Sequence, residues 1–258
     1  MISRPSTARR IESSHPYACG LTDVGLRRSR NEDEFFVGPC GQVLLVADGL
    51  GGLPAGDVAS RTAIASASSR LCAAPGPEGA DALGVRVAMM RAFGDAHLAI
   101  ADRGMSDAKL RGMATTLVAA LITQDRLFVA HVGDVRGYLG RAGRLLQLTA
   151  DHSLVGEMVA AGQLTPEQAR THPSKNVVTQ ALGLGNVPVP SFKSTPIEVG
   201  DLVMLCSDGL WETMTAEELE QIVLAAGDLE QTSIALADRA IAAGGSDNIT
   251  VVVYRHEG

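Results

Sequence analysis

A chain of 258 residues and 26.9 kDa, 46% of them apolar, can bury the core of one large domain, which excludes disorder throughout. One Trp, three Tyr and five Phe are too few for a base-stacking platform, and 22 basic residues against 29 acidic ones leave a net charge of −7, so no nucleic-acid partner is expected. The longest apolar runs fall far short of the roughly 20 residues that a membrane-spanning helix needs, so no membrane span is expected.

Residues 1–16 carry Arg4, Arg9 and Arg10 among several serines, with no apolar stretch. They predict a flexible tail without a secretory leader, followed by a single domain over residues 17–258. Strands are expected at 17–22 and 42–47, the second a buried apolar run that stops at Asp48-Gly49, and a helix at 56–71. Gly and Pro make 73–79 a loop, and the Ala, Met and Leu content of 82–103 predicts a second helix. Residues 117–123, 127–132, 136–139 and 144–148 then read as strands, so closely spaced that they must be antiparallel hairpins. Over 151–180 the periodicity becomes helical, and Thr165-Pro166-Glu167-Gln168 offers an N-cap, a Pro at the first helical position and a capping-box partner. A strand at 202–207 follows. Thr215-Ala216-Glu217-Glu218 is a second capping box, ahead of a helical face of Leu219, Ile222, Val223 and Ala226. A helix at 228–243 and a strand at 249–254 close the chain. Cys19, Cys40, Cys72 and Cys206 lie far apart with no C-x-x-C pair, and read as reduced packing thiols of a cytoplasmic protein.

Four acids sit at the edges of these strands: Asp48, Asp134, Asp208 and Asp247. One Asp-Gly pair is ordinary turn chemistry. Four acids in the same context raise a second reading, because converging carboxylates repel unless cations neutralise them. Oxygen ligands suit Mg²⁺ or Mn²⁺ rather than zinc, and two such ions about 3.5–4 Å apart can clamp an in-line displacement at phosphorus. Nearby, Arg28-Ser29-Arg30-Asn31-Glu32-Asp33 mixes cations with acids. It fits a solvated face, and it equally fits an Arg that holds a phosphate beside acids that order water around metal. Other phosphoryl chemistries fail on spacing: no Lys follows a Gly, position 54 is Pro where a dinucleotide loop needs its last Gly, and the sixth residue after Cys206 is Glu212 rather than Arg. His131, in an apolar strand, reads as a core histidine or a support for its neighbours rather than a ligand.

Taken in order, these motifs resemble the metal-dependent PPM-type serine/threonine phosphatases, the protein phosphatase 2C family, in its compact bacterial form. The resemblance is carried by Arg28 with Asn31-Glu32-Asp33, Ala47-Asp48-Gly49-Leu50-Gly51-Gly52, Gly112-Met113-Ala114-Thr115-Thr116, His131-Val132-Gly133-Asp134, Asp151-His152-Ser153, Ser207-Asp208-Gly209 and Gly245-Ser246-Asp247-Asn248. It covers about residues 17–255. It implies an α+β fold, a four-layer α/β/β/α sandwich of two central antiparallel sheets flanked by helices, with residues 151–180 as a flap beside the active site.

For the site, the resemblance implies that Asp48 bridges two Mn²⁺ or Mg²⁺ ions, that Gly49 offers its carbonyl to one, and that Asp208 and Asp247 bind the other. Arg28 would hold the substrate phosphate, and Glu32 and Asp33 would act through water. Asp134 with Asp208 would form a third metal site, to which Asn176 could contribute. The implied reaction is hydrolysis of phosphoserine and phosphothreonine by a metal-bridging hydroxide, opposing a bacterial Ser/Thr kinase. Leu50 stands where many eukaryotic relatives have a His proton donor, so no side chain there protonates the leaving oxygen. Phosphorylated proteins would be the partners and a monomer the expected state. The alternative of a catalytically silent phosphoprotein-binding module is weakened by the presence of every expected ligand. An aspartyl-phosphate mechanism on Asp48 would want an acid at position 50, which is Leu.

Overall fold

The computed structural model describes residues 9–73, 81–225 and 227–258. Strands β1 (Arg9–His15), β2 (Ala18–Asp23), β3 (Asp33–Val37) and β4 (Val43–Asp48) precede two long helices, α1 (Gly56–Ala73) and α2 (Ala82–Ser106). Strands β5 (Leu117–Ile122), β6 (Arg126–Val132), β7 (Arg136–Arg141) and β8 (Arg144–Gln147) lead to the short helices α3 (Leu154–Ala160) and α4 (Pro166–Thr171). Then come β9 (Ser191–Pro196), β10 (Leu202–Cys206), α5 (Asp208–Trp211), α6 (Ala216–Ala225), α7 (Leu229–Ala242) and β11 (Ile249–Arg255).

All strand pairs are antiparallel, in one sheet of order β1-β2-β11-β10-β7-β8 and a second of order β3-β4-β5-β6-β9. Successive side chains of a strand point to opposite faces, so an all-apolar strand needs cover on both. That is how the layers arise. Val43, Leu45 and Ala47 of β4 pack with Ala63, Ala67, Met89 and Phe93 of α1 and α2, while Leu44 and Val46 pack with Val203, Leu205 and Val252 of the facing sheet. On the far side, Met204 and Cys206 of β10 and Val251 and Val253 of β11 pack with Leu219, Leu236 and Ala240 of α6 and α7. The result is the expected four-layer α/β/β/α sandwich. Small Ala residues on α1 and α2 let the helices lie close to the sheet, which is how so few aromatic side chains fill the interior. Among the described residues no helix is long and apolar enough to cross a membrane.

Several elements differ from the sequence reading. Residues 9–15, expected in a flexible tail, form the edge strand β1, held by Arg9 on buried Asp23 and on Asp238 and by an ion pair of Arg10 with Glu34. Its charged sequence hides it, because an edge strand can face solvent along one side. Strand β3 escapes notice because it opens on an acid, and β9 because it is a largely polar edge strand that pairs only with β6. The helical excursion at 151–180 is two short helices: α3 is followed by Gly162 at φ +72°, and α4 carries the expected capping box between Thr165 and Gln168. Cys19 and Cys206 are buried packing thiols, but Cys40 and Cys72 are exposed. Residues 74–79 of the expected loop and Ala226 lie outside the described residues.

Candidate active site

The acids meet at one end of the two stacked sheets. Asp33 opens β3 and Asp48 ends β4, and the register sets them directly opposite each other. Asp208 starts α5 just beyond β10, Asp247 lies two residues before β11, and Asp134 lies in the turn between β6 and β7. Like charges across a strand pair destabilise it, so this end of the sandwich carries a standing electrostatic penalty. Two carboxylate oxygens there, Oδ1 of Asp33 and Oδ1 of Asp208, are buried without a hydrogen-bond partner. The other oxygen of Asp33 accepts a hydrogen bond from Ser207 Oγ at 2.8 Å, and that hydroxyl accepts one from Thr250 N at 3.0 Å.

Burial, and then the neighbouring acids, hold these carboxyls far above the usual range. Asp33 is pushed up to about 7, with Asp208 and Asp247 adding to burial. Asp134 reaches about 8 through burial, Asp208 and Asp151, and Asp208 about 6 through burial, Asp247 and Glu212. Asp48 is raised well above its ordinary value by burial and by Asp33, Asp208, Asp134 and Asp247 together. Asp33, Asp48 and Asp134 thus each feel the charge of Asp208.

Glycines let the backbone close around these acids at two points. A Cβ on Gly49 would lie 2.4 Å from Gly56 O and 2.7 Å from Glu32 O, and one on Gly209 would lie 1.9 Å from Asn248 O. The Asp48 carbonyl takes hydrogen bonds from Thr116 N at 2.8 Å and Thr115 Oγ1 at 2.7 Å, so Thr115 and Thr116 fix the end of β4. Arg28 is exposed and donates to Asp247 Oδ2 at 2.7 Å. Its guanidinium lies over Gly51, where a Cβ would come within 2.9 Å of Nη1. Glu32 lies against Gly56 at the start of α1, and its carboxyl is raised by burial and lowered by Arg28. Asn176 is exposed in the turns after α4, and nothing among the described residues ties it to Asp134 or Asp208.

Among the described residues no three His, Cys, Asp or Glu side chains come together as a ready-made metal site. The orphaned, buried carboxylate oxygens instead fit a hard, partly hydrated ion that takes one or two carboxylates and keeps several waters.

Residues 27–240 match the family described as Protein phosphatase 2C. The chain belongs to the protein phosphatase 2C family. As a member it is a metal-dependent serine/threonine protein phosphatase. It is 37% identical over 240 residues to the serine/threonine phosphatase stp of Listeria monocytogenes, covering 92% of this chain and 94% of that one. The crystal structure of the Mycobacterium tuberculosis serine/threonine phosphatase PstP superposes with a TM-score of 0.85 at 36% identity, over 93% of this chain and 98% of that one. The catalytic domain of PstP in complex with two manganese ions superposes with a TM-score of 0.81 at 34% identity, over 93% of this chain and 98% of that one.

Within this phosphatase several supporting residues had no role assigned from sequence. Buried Asn248 donates to Val24 O at 3.0 Å and Arg30 O at 2.9 Å and accepts from Glu32 N at 2.8 Å, so one amide pins the whole 24–32 segment beside Asp247. Trp211 Nε1 donates to Asp134 O at 3.0 Å. The guanidinium of Arg136 stacks 3.4 Å over the Trp211 ring and forms a two-pronged pair with Asp151 at 2.9 and 2.7 Å. His131 is buried on Ala150 O at 2.7 Å and stacks on His152, whose ring accepts from Gly133 N; it supports the turn of Asp134 and is a core histidine, as expected. The signal for Asn248 was its place beside Asp247, but its partners lie more than 200 residues away in sequence.

Proposed function

We propose that this phosphatase hydrolyses phosphoserine and phosphothreonine by direct attack of water, with no phosphoenzyme, on two Mn²⁺ or Mg²⁺ ions. The observation that carries the reading is the pair of buried, unpartnered oxygens on Asp33 and Asp208, two carboxyls raised by burial and by the nearby charge of Asp247. Asp48, the Gly49 carbonyl, Asp208 and Asp247 would hold the two ions, with Glu32 and Asp33 acting through water. Asp134 and Asp208 would form a weaker third site, to which exposed Asn176 would contribute. When bound, the ions supply Lewis acidity at the phosphoryl oxygens and make water a nucleophile at neutral pH.

The protein's own part is positional and electrostatic. Arg28 uses one guanidinium nitrogen on Asp247 and keeps its remaining N–H donors for the phosphate, and Gly51 leaves room for them. Thr115, Thr116 and Asn248 hold the carboxylate-bearing backbone still, so the site needs no reorganisation as charge develops. Leu50 has no proton to give, so the leaving oxygen takes its proton from water. The natural substrates would be phosphoproteins made by a Ser/Thr kinase in the cytoplasm, where buried free Cys19 and Cys206 stay reduced.

The test is turnover of a phosphothreonine peptide with Mn²⁺, with Mg²⁺, with chelator, and by Asp48→Asn and Asp247→Asn. Activity with either ion that disappears in chelator and in both variants is expected. A variant that keeps wild-type turnover, or activity that survives complete chelation, would remove its residue or the ions from the mechanism.

A further inference from the structure

Helix α2 buries one apolar face, with Val85, Met89, Phe93 and Ile100, against the sheet and α1, but it carries a second one. Leu83, Val87, Met90, Leu98 and Met105 are all exposed, Leu83 to 67% and Met105 to 73%. With Gly94 and Ala101 they fall in one stripe about 80° wide at 100° per residue. The spacing of the stripe reads the same in both directions from Gly94: steps of four residues reach Met90 and Leu98, steps of seven reach Val87 and Ala101, and steps of eleven reach Leu83 and Met105. An 11-residue repeat stays on one side of a nearly straight helix, so the stripe does not drift off its face.

A stripe with this symmetry is self-complementary under a two-fold rotation. Laid antiparallel on a second copy with the axis at Gly94, Met90 meets Leu98, Val87 meets Ala101, and Leu83 meets Met105, each large side chain once on each side. A Cβ on Gly94 would meet nothing within 4 Å, so the two backbones are free to approach at the centre. The charges agree. Arg91 is exposed with no ion-pair partner among the described residues, and Asp95, paired with Arg70, keeps its side chain 40% exposed. Both flank the stripe on the same side, and under the two-fold axis each Arg91 comes opposite the Asp95 of the other copy, two residues out of register, within an Arg side chain's reach. The exposed stripe and its flanks amount to on the order of 500 Å² per copy, so pairing would bury on the order of 1,000 Å², the lower bound for a specific interface.

We infer that the α2 stripe is a homodimer interface, in which two copies of this chain pair their α2 helices antiparallel about Gly94. It differs from the monomer expected from sequence. The interface lies on the outer helical layer, on the side of α2 opposite the face packed on the sheet.

The experiment is sedimentation of the full chain at tens of micromolar, alongside Gly94→Glu, Leu98→Arg and two cysteine variants in a Cys40→Ser, Cys72→Ser background. The wild type is expected at twice 26.9 kDa. Gly94→Glu puts two like charges on the axis and is expected at the single mass; it has open space in one copy and gains helix propensity, so its circular dichroism and melting temperature should hold. Leu98→Arg should also be monomeric. Under mild oxidation Gly94→Cys should cross-link to its own kind, while Leu83→Cys should not, because the two Leu83 positions lie about 33 Å apart along paired antiparallel helices. A monomeric wild type, a dimer that survives Gly94→Glu, or cross-linking through position 83 rather than 94 would overturn the interface.

Discussion

Replacing Asp33 by Asn should stabilise the metal-free protein, and the size of the gain follows from its surroundings. Asp33 is 6% exposed, keeps one oxygen on Ser207 Oγ and leaves the other unpartnered. Burial first, and then Asp208 and Asp247, lift its carboxyl from 3.8 to about 7. Since the folded pKa lies above the unfolded one, the fold favours the protonated acid. The associated stability is complete below about pH 3.8 and is lost as pH rises through about 7. The rise from 3.8 to about 7 sets a ceiling of about 4 kcal/mol, and because relief is shared among the neighbouring acids about 2 kcal/mol is expected. Asn cannot ionise, and its amide oxygen still accepts from Ser207. In chelator at pH 8, Asp33→Asn should therefore melt about 4–8 °C above the wild type, and the gap should narrow steadily as pH falls to 5. Added Mn²⁺ should reverse the order, since ions that bind the folded wild type stabilise it by mass action and the variant has lost a carboxylate. Thermal melts at the two pH values, with and without Mn²⁺, measure all of this. A variant less stable than wild type at pH 8 in chelator, or a difference that ignores pH, would refute the electrostatic account of the cluster.

Arg28→Ala removes the exposed guanidinium proposed to hold the phosphate, so kcat/KM on a phosphothreonine peptide should fall about 10- to 100-fold, from the loss of about 1.5–3 kcal/mol of charge-assisted hydrogen bonding, with the melting temperature unchanged; a smaller loss in steady-state kinetics would refute the proposed role of Arg28. Asn248→Ala strands Val24 O, Arg30 O and Glu32 N at once, and should cost about 3 kcal/mol in urea unfolding and, unlike Arg28→Ala, lower the activity by disordering the 24–32 segment; an unchanged unfolding midpoint would show that this segment is held by other means.

Much of the fold was legible because its strands are apolar on both faces. Residues 43–47, 117–122 and 202–206 announce buried strands without any partner in view, and the capping boxes at Thr165 and Thr215 mark helix starts by chemistry that acts within four residues. Edge strands carry no such mark. Strand β1, with Arg9, Arg10 and Glu12, is a strand only because Asp23, Asp238 and Glu34 lie beside it, and β9 only because β6 offers its edge.

The identities of the acids were likewise written in the chain: each follows or precedes an apolar run, and the motif order around Asp48, Asp134, Asp208 and Asp247 pointed to the family. What the chain alone determined is which residues are chemically able to act, because strand period, capping and Asp-Gly turns are short-range properties of neighbouring residues. Only the tertiary structure decided that Asp33 stands opposite Asp48, that Ser207 and Thr250 hold it there, that Asn248 fastens a segment more than 200 residues away, and that α2 keeps a second apolar face toward solvent. Those facts depend on antiparallel register and layer packing between segments far apart in sequence, and no local pattern encodes the distance between them.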